Sequence, residues 1–527
     1  MIDTKALREK VLDLAIRGKL VPQDPNDEPA SVLLERIRQQ KQQMVKEGKL
    51  KAKDIKNDTV IFVGEDNLHY EKFADGSVKC IEDEIPFELP DVWAWARLGA
   101  VAEAISDGDH QPPPQTSSGI PFLVISNVSG GVLSFENTRF VSVEYFNQLP
   151  ETRKPRNGDL LFTVTGSYGI PVLVDTDDNF CFQRHIAMVR PCIISNRYLY
   201  IMLGSSYVKS ICDNKATGIA QKTVGLSTLR ELLVPIAPLS QQIKIYEQAQ
   251  SALCVVDGIS SDKEDLLKTI NNAKAKILNL AIRGQLVPQD PADEPASVLL
   301  ERIREEKEEL IKQGKIKRDK KESVIFRGED NSYYEKIGDY VRCIDSELPF
   351  ELPDSWMFVR LKHIGEVVGG GTPKTNISEY WDGNIPWLTP ADFSGYEEMY
   401  VSSGARTITE IGLKSSSAQM LPANSVLYSS RAPIGYIAIA ANPVSTNQGF
   451  KSVVPYDFSM SPYLYYCLKA RTDDIIQRAT GTTFKEISGS EMAETIIPLP
   501  PFTEQKRLVA KATQLLNVIA TIEKSLS

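Results

Sequence analysis

The chain has 527 residues, 42% of them hydrophobic and 24% charged, which is the composition of an ordinary globular protein with room for several cores. Four histidines and seven scattered cysteines without a C-x-x-C pair argue against a structural zinc site and for free thiols. A net charge of −9 argues against a simple nucleic-acid binder, and no apolar run approaches the roughly 20 residues that cross a membrane. The opening "MIDTKALREKVLDLAIRG" is charged and amphipathic and lacks the apolar stretch of a signal peptide. The expectation is a cytoplasmic chain that holds no metal and has no membrane partner.

In chain order, "DEPASVLLERIRQQKQQMVKEG" from Asp27 is the first clear helix: Asp27 is a candidate cap, Pro29 suits a first turn and Gly48 ends it. "YEKFADGSVKCI" from Tyr70 predicts a hairpin turning at Asp75-Gly76. In the following stretch, "GDLLFTVTGSYGIPVLV" from Gly158 predicts strand, glycine turn, strand. "NRYLYIMLGSSYVKSICDNKATG" predicts a helix ending at Gly218. From Ser240, Tyr246, Ala249, Leu253 and Val256, then Leu267, Ile270, Ile277 and Ala281, recur at helical steps up to a stop at Gly284. Such a helix would reach roughly 60 Å, with Gly258 and the "SSD" after it as places where it could break. Further on, "NSVLYSSRAPIGYIAIA" from Asn424 and "SPYLYYCLKARTDDIIQRATG" predict the same strand–turn–strand, then a helix ending at Gly481.

The chain repeats itself. From Leu12 to Arg38, 24 of 27 positions recur at Leu278 to Arg304. "VIFVGEDN" at Val60 returns as "VIFRGEDN" at Val324, "PFELPDVW" at Pro86 as "PFELPDSW" at Pro349, and "PIAPLSQQ" at Pro235 as "PLPPFTEQ" at Pro498. Two copies are too few for a solenoid and point to two similar lobes. Near-identity is confined to these frames, whereas Val92–Leu233 and Met357–Ile497 differ almost completely. Thr503–Ser527 aligns with Ser240–Glu264 and Met1–Gly18 with Leu267–Gly284, so the chain ends together rebuild the central helix. The repeat is circular. Two such helices running antiparallel would set the variable segments at opposite ends.

No catalytic constellation is present. "VVGGGTPKT" at Val367 lacks the spacing of a phosphate loop, and its glycines are read as a turn. There is no G-x-G-x-x-G after a strand, no G-x-S-x-G and no H-E-x-x-H, and His185 has no nucleophile nearby in sequence.

"GKLVPQDPNDEPASVLLERI", "GGGTPKTNISEYWDGNIPWLTPADF", "PLPPFTEQKRL" and "GDHQPPPQTSSGIPFLVISNV", with the circular repeat, resemble the DNA-specificity subunit of type I restriction–modification enzymes over nearly the whole chain. The resemblance implies an α/β (α+β) fold with two target-recognition domains, residues 91–238 and 354–500, joined by long antiparallel helices. Residues 1–90, 239–353 and 501–527 would form the repeated frame. It further implies that each domain reads one half of a split, asymmetric site on double-stranded DNA. The helices would dock two adenine-N6 methyltransferase subunits and, through them, restriction/translocase subunits. S-adenosylmethionine, ATP and Mg2+ would then belong to those partners, and this chain would have no catalytic residue.

Charge fits this less simply. Asp91–Pro238 holds 12 Lys+Arg against 13 Asp+Glu, and Ser355–Pro500 holds 11 against 13, although phosphate neutralisation supplies most non-specific affinity for DNA. The positive residues must cluster on one face, or the partners must supply positive surface. Arg and Lys suit guanine edges, and Asn and Gln suit adenine. Candidate readers, chosen from glycine-rich or polar loops, are His110, Gln111, Ser167, Tyr168, Arg184, His185 and Lys222 in the first domain. In the second they are Thr372, Lys374, Arg431, Thr482, Thr483 and Lys485. Gln183 and Gln448, taken as corresponding positions, are assigned a structural role, because readers of different sequences should differ. A two-lobed protein-binding scaffold without DNA specificity, and an enzyme with an unrecognised active site, stay open as alternatives.

Overall fold

The computed structural model describes residues 2–109, 113–218, 221–318, 322–481 and 485–526. The chain divides into two compact units, Met1–Lys263 and Glu264–Ser527, each with its own apolar core. Both units mix helices and strands in the same order.

In the first unit, helices Thr4–Ile16 and Ala30–Lys46 precede a three-stranded antiparallel sheet of Val60–Val63, His69–Lys72 and Val78–Cys80. The hairpin turns at Gly76 (φ +87°), where the sequence puts it. Strand Ala94–Arg97 then pairs antiparallel with Leu233–Ile236, so the entry and exit of the variable segment are bonded into one two-stranded stem. Between them lies a four-stranded sheet in the order Ala102–Asp107, Ile186–Pro191, Leu160–Thr163, Pro171–Leu173. Its Ile186–Pro191 strand is buried along nearly its whole length, as expected of a strand covered on both faces. Arg190, buried within it, is held by a bidentate pair with Asp159 at 2.8 and 2.9 Å. A smaller sheet joins Cys181–Phe182 in parallel to Ile120–Leu123.

The second unit repeats this plan. Strands Ser323–Arg327, Tyr333–Ile337 and Tyr340–Cys343 form the small sheet, and Met357–Arg360 with Ile496–Leu499 forms the stem. Its main sheet gains a fifth strand, Tyr400–Val401, laid parallel on Ile434–Ala440. Both predicted strand–turn–strand segments are antiparallel pairs: Leu160 faces Leu173, and Val426 faces Ile439.

The expected long helix, Leu239–Ile282, is continuous over 44 residues, and Gly258 does not interrupt it. Two local expectations are corrected. Asp27 does not cap the Ala30–Lys46 helix, which starts at Pro29 without a side-chain cap. Its carboxylate instead accepts from the Ser240 hydroxyl and from Gln241 Nε2 (2.8 Å), tying that helix start to the long helix. The helices expected to end at Gly218 and Gly481 are each broken in two. Asn196–Leu203 stops at Gly204 and Ser205 caps Ser206–Lys215, while Ser461–Ala470 gives way at Arg471 to Thr472–Arg478.

The circular repeat is visible inside each unit. In the first, the N-terminal helix meets the long helix near its middle through Arg8–Asp257 and Thr4 Oγ1–Ser260 Oγ (3.1 Å). In the second, the end of the long helix meets the Phe502–Leu526 helix through Lys274–Glu523. Gly18 and Gly284 (φ +66° and +68°) end the corresponding helices. A Cβ on either would stand 2.6 Å from Pro90 or Pro353, so only glycine admits this packing.

One frame position differs in chemistry. The Trp93 indole donates to Gln241 Oε1 (3.0 Å), whereas Trp356 donates to Glu504 Oε2 (2.9 Å) and Gln289 Nε2 to Glu504 Oε1 (2.6 Å). Burial raises the Glu504 carboxyl above its usual value, outweighing these bonds. With its folded pKa above the unfolded one, ionised Glu504 costs stability above the folded pKa, and the cost fades as pH falls towards about 4.5. Glu504→Gln, the side chain of the first unit, should therefore stabilise the second unit at pH 7 relative to the parent. The advantage should shrink to nothing near pH 4.5, as followed by denaturant melts across that range.

Candidate nucleic-acid interface

At one end of the main sheet in each unit, four loops are bonded together by their backbones. In the first unit the segment after Leu160–Thr163 is central: Val164 N donates to His185 O (3.0 Å), and Gly166 N to Lys222 O (3.1 Å). Thr165 bridges to Thr223, which bridges in turn to Thr217. The loop after Ala102–Asp107 joins at Asp109, bridged to Gln183. Asp109 is anchored by the Tyr145 hydroxyl and by Arg153 Nη1 at 2.5 Å.

The second unit uses the same scheme. Ser430 N donates to Gly449 O (2.7 Å), Arg431 bridges to Glu486, and Glu486 bridges to Thr480. Gly371 N donates to Thr446 O (2.9 Å), and the indoles of Trp387 and Trp381 hold Gly371 O (2.9 Å) and Lys374 O (3.2 Å). Arg406 covers the Trp381 ring at 3.6 Å.

Glycines set how closely the first loop seats. A Cβ on Gly108 would lie 1.9 Å from Phe182 O, and one on Gly370 2.0 Å from Asn447 O. The glycines of "VVGGGTPKT" thus serve close backbone approach. Gly370→Ala is expected to cost about 1–3 kcal/mol by overpacking and to displace the loop carrying Thr372 and Lys374. Neighbouring Gly369→Ala, whose Cβ would have only Lys451 Cδ at 3.9 Å, should be tolerated. Thermal unfolding of the two variants separates these outcomes.

The expected readers fall into distinct groups. His110, Gln111, Thr482 and Thr483 lie outside the described residues. Ser167, Arg184 and Lys222 are exposed around the central segment of the first unit, with His185 half-buried beside them. Burial lowers the His185 pKa below its usual value, and Arg184 adds to the effect. Tyr168 is committed elsewhere: its hydroxyl donates to Asp213 (2.8 Å), and its ring carries the Lys209 ammonium at 4.0 Å. In the second unit, Thr372, Lys374 and Lys485 are exposed, and half-buried Arg431 lies 3.7 Å from Glu486. Arg97, Arg153, Lys154, Arg156, Arg190 and Lys209 of the first variable segment all pair with carboxylates. Among the described residues, Arg184 and Lys222 of the first face, and Lys374 and Lys485 of the second, make no such pair.

Sequence reasoning missed four participants. Glu486 stands between Arg431 and Lys451 (3.3 Å), and Thr165 and Thr223 face each other at 3.3 Å between hydroxyls. The fourth is Gln448, because the two glutamines do not correspond. Gln183 N donates to Leu123 O, and Asn447 N to Leu388 O, both at 2.9 Å, so Gln183 matches Asn447 and Arg184 matches Gln448. Among the described residues, no three His, Cys, Asp or Glu are grouped to hold a metal ion, and no helix is long and apolar enough to cross a membrane.

Residues 353–527 match the family described as the type I restriction modification DNA specificity domain. The type I restriction enzyme MjaIX specificity subunit of Methanocaldococcus jannaschii is 43% identical over 176 residues, which are 33% of this chain and 41% of that protein. The type I restriction enzyme EcoAI specificity subunit of Escherichia coli is 28% identical over 97% of this chain and 89% of that protein. A chain from a solved structure concerned with complex assembly and conformational transition of the type I R-M system is 19% identical. It covers 84% of this chain and 94% of its own length with a TM-score of 0.50, a likeness of fold.

Proposed function

We propose that this chain, whose residues 353–527 match the type I restriction modification DNA specificity domain, is a specificity subunit of such a system and reads a bipartite, asymmetric site on double-stranded DNA. Each unit reads one half, through residues 91–238 and 354–500. The frame, residues 1–90, 239–353 and 501–527, carries two methyltransferase subunits that modify adenine at the site, and restriction/translocase subunits join through them. S-adenosylmethionine, ATP and Mg2+ are bound by those partners, and this chain contributes recognition without a catalytic residue.

The observation that carries this reading is the pair of loop faces: one backbone scheme, built twice, presenting different polar side chains. A shared scheme with unlike side chains suits two half-sites read in one way but differing in sequence. The unpaired cations on these faces suit phosphate and base contacts, since charge-assisted bonds to DNA need donors not already neutralised. Docking of one kind of partner twice is supported by the frame helices, where exposed Val255 and Val518 (62% and 55%) occupy matching positions. The same pair of valines is the observation that favours a protein-binding scaffold, the second reading.

Few cations are free on either face, so the chain alone should bind duplex DNA weakly and with a shallow salt dependence. Mixed with a methyltransferase subunit bearing an N-P-P-[FY] motif, it should form a complex holding two copies of that subunit and bind a DNA fragment containing the site far more tightly. A complex that assembles yet shows no gain for any sequence over random DNA would favour the scaffold and overturn the reading.

A further inference from the structure

The turn that follows the short parallel strand is built residue for residue alike in the two units. After Phe182 and Thr446, which pair with Leu123 and Leu388, the first turn residue is Gln183 or Asn447. Its carbonyl accepts from Ile186 N (3.0 Å) or Phe450 N (3.3 Å), and the third residue's carbonyl, on His185 or Gly449, accepts from the central loop. The first residue is thus pinned, and in the second unit Asn447 Oδ1 also takes Gly449 N at 2.8 Å. The second residue is left over by this bonding. It is Arg184 in one unit and Gln448 in the other, both exposed, at the meeting point of the loops.

Each is oriented by a polar neighbour. Arg184 Nε lies 3.5 Å from His185 Nε2, and the Thr372 hydroxyl donates to Gln448 Oε1. The latter bond fixes which end of the amide accepts, while Oε1 keeps a second lone pair and Nε2 keeps its donors. A guanidinium presents the paired donors that match O6 and N7 of guanine, and a carboxamide the acceptor and donor that match N6 and N7 of adenine.

Building on the bipartite reading proposed above, we propose that this one position reads a base in each unit, Arg184 selecting guanine in the first half-site and Gln448 selecting adenine in the second. Thr372 and His185 are positioning residues for these contacts. A good bidentate contact discriminates about ten- to a hundredfold against a wrong base.

The test uses the full chain co-expressed with its methyltransferase subunit, N6-methyladenine mapped across the genome, and methylation rates on duplexes varied at each base. Arg184→Gln should change one position of the first half-site from guanine to adenine, at a cost of tenfold or more on the parent site, leaving the second half and the spacer as they were. Gln448→Arg should change one position of the second half-site in the opposite sense. Should either exchange prevent the complex from forming, Arg184→Ala and Gln448→Ala, which only truncate exposed side chains, should relax one position each. Variants that keep the parent site at every base, or that slow methylation equally for all bases, overturn the proposal. If the parent chain itself directs no split site, the bipartite reading fails instead, so the two failures are distinct.

Discussion

Exchange of the segment from Leu98 to Leu232 for the corresponding segment of another such chain is expected to change one half of the methylated sequence completely. The other half and the spacer should stay unchanged. The reason lies in the stem. Ala94–Arg97 and Leu233–Ile236 are bonded in register and closed by Leu98 N to Leu232 O at 2.8 Å, so a foreign segment enters and leaves at one fixed point. Several frame contacts to the segment are also indifferent to its side chains, because they are made to backbone: Lys41 Nζ donates to Gly99 O (2.9 Å) and Arg97 Nη1 to Glu231 O (2.8 Å). Mapping of methylated adenines before and after the exchange gives the answer. A change in both halves would show that the units do not read independently.

A polypeptide of Met1 to Glu264 should direct methylation to a palindrome made of the first half-site twice. It holds a complete unit, whose core runs from Leu12 to Leu253 and whose terminal helices already meet through Arg8–Asp257. Cutting the long helix after Glu264 leaves a frame that a second copy can complete, and closed twofold pairing is the commonest outcome for such self-complementary surfaces. A polypeptide of Leu267 to Ser527 should do the same with the second half-site. Light scattering and methylation mapping check both. Half-chains that remain monomeric and inactive beside a competent methyltransferase would show that the two copies cannot replace each other.

The elements legible in the sequence were those fixed by short-range pattern: the long helix, the hairpin at Asp75-Gly76, the two strand–turn–strand pairs and the repeat itself. What escaped depends on partners far away in the chain. Asp27 satisfies every local rule for a cap, yet Ser240 and Gln241 take its carboxylate. The stem joins strands more than a hundred residues apart, so no window of sequence contains it. The break at Gly204-Ser205 hides in a run whose apolar spacing stays helical, because Ser205 caps the second helix without disturbing the pattern. In the site, the loops could be recognised as loops, but their pairing could not. Matching Gln183 to Gln448 by identity shifts the comparison by one residue from the register set by Leu123 and Leu388, and it hides the contrast between Arg184 and Gln448. The engagement of Tyr168 by Asp213 and Lys209, on helix Ser206–Lys215, was likewise hidden by distance along the chain.

The most direct measurement is a genome-wide map of N6-methyladenine in cells carrying a methyltransferase subunit with and without this chain. One asymmetric sequence, split by a spacer of fixed length, should be methylated only when the chain is present. An unsplit site, a pattern unchanged by removing the chain, or no sequence-restricted methylation at all would contradict it.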